Sequence, residues 1–130
     1  MPEACAAWAD ICAAVSAQRY ARSAVVTASI DELHFLRPIR MGMVVILRAQ
    51  VNQAWRTSME IGVRIEGEDP RSGAREHCCS AYLTFCALDD LGHLAPLPVF
   101  VPQDPDEARR AAEADERRRH RLEVRESRRK

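Results

Sequence analysis

The chain reads as α+β: a single apolar helix laid against a strongly curved antiparallel sheet of about four strands, closed by a charged C-terminal helix. Three observations carry that expectation. The run Ala4-Cys5-Ala6-Ala7-Trp8-Ala9-Asp10-Ile11-Cys12-Ala13-Ala14-Val15 is rich in alanine, the best helix former, and is apolar nearly all the way round. Between Ala24 and Leu88 lie segments with the two-residue alternation or the β-branched content of strands. From Asp104 onward the composition turns abruptly to Ala, Glu and Arg.

The opening helix is expected from about Glu3 to Arg22, with Arg19 and Arg22 complementing the negative end of its dipole. Ala24 to Asp31, holding Val25, Val26, Thr27 and Ile30, reads as the first strand. Glu32 to Gly42 contains Pro38 and Gly42 and reads as an irregular connection. Val44 to Val51 is an apolar strand and Gln53 to Arg56 a turn. Ser58 to Glu66 then alternates cleanly, placing Met59, Ile61, Val63 and Ile65 on one face. In Asp69-Pro70-Arg71-Ser72-Gly73 the proline presets φ and the glycine supplies positive φ, which makes a turn. His77 to Leu88 follows as a long strand with Cys79, Ala81, Leu83, Phe85 and Ala87 on one side, so that it forms a long curved hairpin with its predecessor. Asp89 to His93 turns again, and Pro96, Pro98 and Pro102 hold the next segment extended. Asp104 to Lys130 has no proline after Pro105 and no glycine, and is expected as a solvated helix that frays at its end. The organisation is one domain over residues 1–103 and a charged helical tail over 104–130.

A chain of 130 residues, 47% hydrophobic and 29% charged, suffices for one globular domain with a real core. Nineteen basic side chains are matched by nineteen acidic ones, and aromatic content is 5%, so nucleic acid is not the expected partner. No apolar segment approaches ~20 residues, so no membrane-spanning helix is expected. Five cysteines form no Cys-x-x-Cys pair and follow no secretory leader; they read as reduced thiols, and the expected compartment is the cytoplasm. Cys78 and Cys79 point to opposite strand faces and the four histidines are scattered, so no metal site is expected. Cys12 has no base placed to activate it and reads as a buried hydrophobe rather than a nucleophile.

Asp10 is the exception inside the apolar helix. A carboxylate in such a setting must be hydrogen-bonded, paired, neutral or open to a cleft, and that conflict marks a candidate functional site. The alternative is a helix only partly buried, with Asp10 facing water. Four strands around one helix also leave sheet edges uncovered, which points to dimerisation by edge pairing.

Trp8-Ala9-Asp10, Ala13-Ala14 and Ala17-Gln18-Arg19-Tyr20-Ala21 form a pattern with the segment Val25 to Asp31, Phe35, Pro38 and Gly42. The pattern continues through Arg56-Thr57-Ser58-Met59-Glu60-Ile61, Thr84-Phe85 and the Pro96-to-Pro102 segment before a basic helix. In order and spacing it resembles the hotdog-fold acyl-CoA thioesterases, in the branch of broad-range bacterial and cytosolic long-chain acyl-CoA hydrolases. The resemblance implies a central helix wrapped by a curved sheet, in homodimers or trimers of dimers with active sites at the dimer interface. It implies hydrolysis of an acyl-CoA thioester to a free fatty acid and CoA, with Asp10 as general base or nucleophile and backbone N–H groups near the helix start as oxyanion donors. CoA contacts implied by the same resemblance are Thr27, Ser29, Arg56, Thr57, Ser58 and Met59, while Arg118 and Arg119 of the basic tail are candidates for the nucleotide phosphates. No cofactor is implied beyond the CoA of substrate and product. The family also carries a strand before the helix, with an Asn and a Gly-Gly pair at the helix start, where this sequence has Met1-Pro2-Glu3; Met43 stands where an acidic residue is usual. A second expectation therefore stands beside the first: a catalytically impaired module that binds CoA esters or co-assembles with a full-length paralogue.

Overall fold

The computed structural model describes residues 2–129. Its elements are α1 (Pro2–Ala21), β1 (Ala24–Phe35), β2 (Val44–Ala54), β3 (Ser58–Glu68), β4 (Arg75–Leu88) and α2 (Pro105–Arg129). The strands form one sheet in the order β1-β4-β3-β2, every neighbouring pair antiparallel, so the first strand pairs with the last. The sheet curls until all four strands touch α1.

What holds α1 in that curl is a stripe of small side chains. Cys5, Ala9, Ala13 and Ala17 recur every fourth residue, are all but fully buried, and meet Met59, Ile61, Ile65, Leu83 and Phe85 of the central strands. Without long side chains in between, the helix axis comes close to the sheet, and the sheet must bend to keep its outer strands in contact. The helix stops where Arg22 takes the left-handed φ of 55° and its N–H still reaches the Gln18 carbonyl at 2.8 Å, an αL cap.

The expectation of a helix buried all round is corrected. One concave sheet face can cover one stripe only, and Ile11 and Val15, on the far side of α1, are 67% and 47% exposed. The first strand is also longer than read: Glu32–Phe35 continue the ladder opposite Tyr82–Cys79, because β-branching is not needed where a partner strand supplies the hydrogen bonds. Two register shifts interrupt β1, between Thr27 and Ser29 and between Ile30 and Glu32. The irregular connection shrinks to residues 36–43, anchored by the Leu36 and Arg37 N–H groups on the Cys78 carbonyl. The β3–β4 hairpin is as expected, with Gly73 at φ +76° and its N–H on the Asp69 carbonyl at 2.7 Å.

The tail is a helix with most of its surface in water, as expected, but one side of α2 lies across the convex face of the sheet with Ala111 and Ala114 buried. Its start is capped by Asp104, whose Oδ1 accepts the Glu107 N–H at 2.8 Å. The segment that delivers it crosses the end of α1, where the Tyr20 hydroxyl donates to the Pro98 carbonyl at 2.7 Å. Trp55, in the β2–β3 turn, donates its indole N–H to Asp115 at 3.0 Å and lies beneath the Arg118 guanidinium. The charge run is a docking face.

Candidate active site

Asp10 sits midway along α1, one position past the buried Ala9, and is half-buried between the sheet and the open side of the helix. Its Oδ1 accepts the Thr27 hydroxyl at 2.8 Å. Thr27 reaches it because it pairs with Phe85, whose side chain is in the core, so both point to the concave face. On the uncovered side of the same helix Ile11 and Val15 are exposed. A carboxylate held by one hydroxyl keeps its second oxygen free for a water or an acyl carbon.

Ser29, grouped with Thr27 by the family pattern, lies elsewhere. In an unbroken strand the two would share a face; the bulge at Ala28 resets the register, so that Ser29 opposes Thr84 on the convex side. There its hydroxyl donates to Asp31 Oδ1 at 2.6 Å, the Thr84 hydroxyl donates to Asp31 Oδ2 at 2.6 Å, and Arg121 Nε stands 3.5 Å from the same carboxylate. This cluster forms one wall of a groove of about 910 Å³ between β1, β4 and the C-terminal half of α2. Thr57, Ser58 and Arg118 line that groove with Ser29, and Arg125 and Arg128 add further cations. Arg119 lies outside it, exposed and paired with Glu116. Arg56 is exposed and offers its carbonyl to the Leu97 N–H. The Met59 side chain is fully buried beneath α1 and has no surface for a ligand.

Sequence reasoning missed the groups that fix α2. Glu60 is fully buried, takes two parallel hydrogen bonds from Arg117 (Nε to Oε1 at 2.9 Å, Nη2 to Oε2 at 2.8 Å) and a third from Asn52 Nδ2 at 2.9 Å. The Arg117 guanidinium also lies 3.8 Å from the centre of the Tyr82 ring, and the bond to Glu60 raises its pKa above the ordinary arginine value. The alternation of β3 had placed Glu60 opposite the core residues, as though facing water. The available signal was the spacing Ala111, Ala114, Arg117, Arg121, which puts small residues and arginines on one helix face.

The geometry is that of a hotdog fold, and the comparisons with known proteins agree. The thioesterase superfamily model matches residues 4–74. The chain belongs to that superfamily. Its relatives include an acyl-CoA thioester hydrolase of Bacillus subtilis, YkhA, called uncharacterized, which is 37% identical over 118 residues, 85% of this chain and 69% of that protein. Mouse acyl-coenzyme A thioesterase 11 is 38% identical over 115 residues, but those are 88% of this chain and only 19% of the longer mouse protein. Among solved structures, an apo-hexameric acyl-CoA thioesterase superposes with a TM-score of 0.91 at 34% identity, covering 95% of this chain and 80% of that one. An acyl-CoA hydrolase of Staphylococcus aureus, solved with butyryl coenzyme A, coenzyme A and coenzyme A disulfide, gives 0.90 at 34% identity, covering 98% and 77%. The same enzyme has been solved with alanine in place of an aspartate and of a threonine.

Proposed function

We propose that this protein hydrolyses acyl-CoA thioesters and that Asp10 carries the reaction. The observation that supports it is the Thr27 hydroxyl on the Asp10 carboxylate at 2.8 Å, the carboxylate standing alone in a helical run that is otherwise apolar from Ala4 to Val15. In the Staphylococcus aureus enzyme the substituted aspartate and threonine are seventeen positions apart, as Asp10 and Thr27 are here.

A thioester is already activated, so the site must orient a water, take its proton and stabilise the oxyanion. As base, the free oxygen of Asp10 accepts a proton from water as the oxygen bonds to the acyl carbon, and the C–S bond breaks to release the CoA thiolate, which is then protonated. As nucleophile, the same oxygen attacks the acyl carbon, expels the thiolate and leaves a mixed anhydride for water to cleave. Thr27 is a positioning residue in either case. The first amides of α1 lie about 12 Å along the axis from Asp10, eight residues at 1.5 Å each. Those amides therefore serve an oxyanion at Asp10 of a second subunit rather than of their own, which is why the reading includes a dimer with Ile11 and Val15 at its seam. The convex groove, with Thr57, Ser58, Ser29 and Arg118, takes the polar part of CoA and its phosphates.

A second reading is favoured by one feature: Pro2 and Glu3 stand at the helix start, and proline has no N–H to donate. On that reading the chain binds CoA esters without turning them over. One assay decides. Released thiol is followed with a panel of acyl-CoA chain lengths for the parent chain and Asp10→Asn. Turnover by the parent that falls at least about 10²-fold in the variant, with acyl-CoA affinity retained, supports hydrolysis at Asp10. Saturable binding with no turnover by the parent supports the second reading.

A further inference from the structure

On the convex face a second cavity, of about 300 Å³, lies between the outer side of β2, β3 and β4 and the N-terminal half of α2. It is separate from the Asp10 carboxylate, which is on the opposite face of the sheet, and from the CoA groove, with which it shares no lining residue. Its charge is lopsided. Five arginines line it, Arg48, Arg64, Arg109, Arg110 and Arg117, against the single carboxylate of Glu113. Behind the wall, Glu66 is shared by Arg48 (3.1 Å) and Arg64 (3.6 Å), and Glu60 is taken by Arg117. Arg109 pairs with Glu113 at 3.2 Å, and Arg110, half-buried, has no carboxylate partner among the described residues. With Asp106 also 3.9 Å from Arg109, five guanidiniums face four carboxylates, which leaves a surplus of one positive charge at the mouth of a half-enclosed space.

The floor adds a different demand. Asn52 is 2% exposed, spends its Nδ2 on Glu60, and leaves its Oδ1 buried with no hydrogen-bond partner. Gly62 is what makes room for that amide: a Cβ there would stand 2.7 Å from Asn52 Nδ2. A buried acceptor without a donor is costly and asks for an N–H or O–H from an occupant.

We propose that this cavity is a binding site for a small organic phosphate, its phosphoryl oxygens on Arg48, Arg64 and Arg110 and a hydroxyl of its organic part donating to Asn52 Oδ1. The volume is at the low end for small-molecule sites and suits one phosphate with a short polyol. Its occupant braces the N-terminal half of α2, the helix whose C-terminal half walls the CoA groove. The site stands on its own residues and does not depend on turnover at Asp10.

The test is calorimetric titration of the full chain with ribose 5-phosphate, with sulfate as an anion that has no donor. Saturable binding of ribose 5-phosphate is expected, tighter than sulfate, weakened about tenfold or more in Arg110→Ala and in Arg48→Ala, and unchanged in Arg118→Ala. No saturable binding overturns the proposal. So does binding lost in Arg118→Ala but kept in Arg110→Ala, which places the ligand in the CoA groove. Equal affinity for sulfate and ribose 5-phosphate overturns the role of Asn52. Arg48→Ala changes a side chain that is 61% exposed, so that arm is readable even if the helix variant folds poorly.

Discussion

On the concave face α1 meets the sheet through Cys5, Ala9, Ala13 and Ala17, small side chains with nothing to pair and nothing to orient. On the convex face α2 meets the same strands through two alanines and a buried carboxylate gripped by Arg117. The first contact is non-directional and depends on fit. The second is directional, and its two partners must both be present. The helix held by fit carries the candidate carboxylate for chemistry; the helix held by charge carries the cations of the groove proposed for CoA. A helix whose dock is a bidentate ion pair has one register on the sheet, and that fixes where Arg118 and Arg125 stand.

The sharpest way to break this contrast is Arg117→Met. It strands Glu60 in a site with no exposure and should cost about 3–5 kcal/mol, read as loss of stability in urea together with release of α2 to protease. The double variant Glu60→Gln/Arg117→Met removes both charges, keeps an acceptor for Asn52 Nδ2 and should recover part of that loss, because no unpaired charge is left buried. A double variant as unstable as the single one would mean that the pair is not what docks α2. On the other face the largest change is steric: Ala13→Leu overfills a fully buried position between α1 and the sheet and should cost about 1–3 kcal/mol. In contrast to Arg117→Met, it should leave α2 resistant to protease until global unfolding.

That asymmetry also decided what the sequence revealed. The concave face was legible because fit leaves a pattern: the alternation in β3 and β4 named the residues of those strands that meet α1, though not the buried Cys78 on the other face, and alanine content named the helix. The rigid stripe within α1 was less clear, since a run apolar all round does not say which quarter meets the sheet. The convex face was nearly illegible. Glu60 alternates with core residues and reads as solvent-facing, and Arg117 sits in a run of arginines that reads as solvated; only the fold brings them 2.8 Å apart. The bulge at Ala28, which sends Thr27 to Asp10 and Ser29 to the groove, has no glycine to announce it. Asp10 stood out as a candidate because a charge in an apolar run is visible locally. Its partner Thr27, seventeen residues away, was visible only as part of a family pattern.

A smaller change sharpens the role of that partner. Thr27→Val keeps the shape of the side chain and removes the hydroxyl from Asp10, a hydrogen bond to a charged group of about 1.5–3 kcal/mol. If Thr27 positions the carboxylate, kcat should fall about tenfold or more with KM nearly unchanged. A change confined to KM would assign Thr27 to substrate binding instead.

The smallest effect vanishes at neutral pH and tests the concave face as a dry contact. Burial pushes the Cys79 thiol from its ordinary 9.0 up to about 11, with the neighbouring Cys5 and Cys78 adding to the rise, and burial raises Cys5 and Cys12 in the same direction. A thiol is neutral when protonated, so the folded state resists ionisation that the unfolded state undergoes freely. The stability this contributes is complete below pH 9.0 and is lost as pH rises through about 11. Urea midpoints measured across that window should fall with increasing pH, and the slope should be shallower in Cys79→Ala, though not flat while Cys5 and Cys12 remain. Reaction of Cys79 with iodoacetamide at pH 8 should likewise track global unfolding, since the thiolate is the reactive form and the side chain has no exposed surface. An unchanged slope in the variant, or labelling of Cys79 in the native state, would mean that water reaches the seam between α1 and the sheet. The small-residue stripe would then not be the close-packed contact that places Asp10.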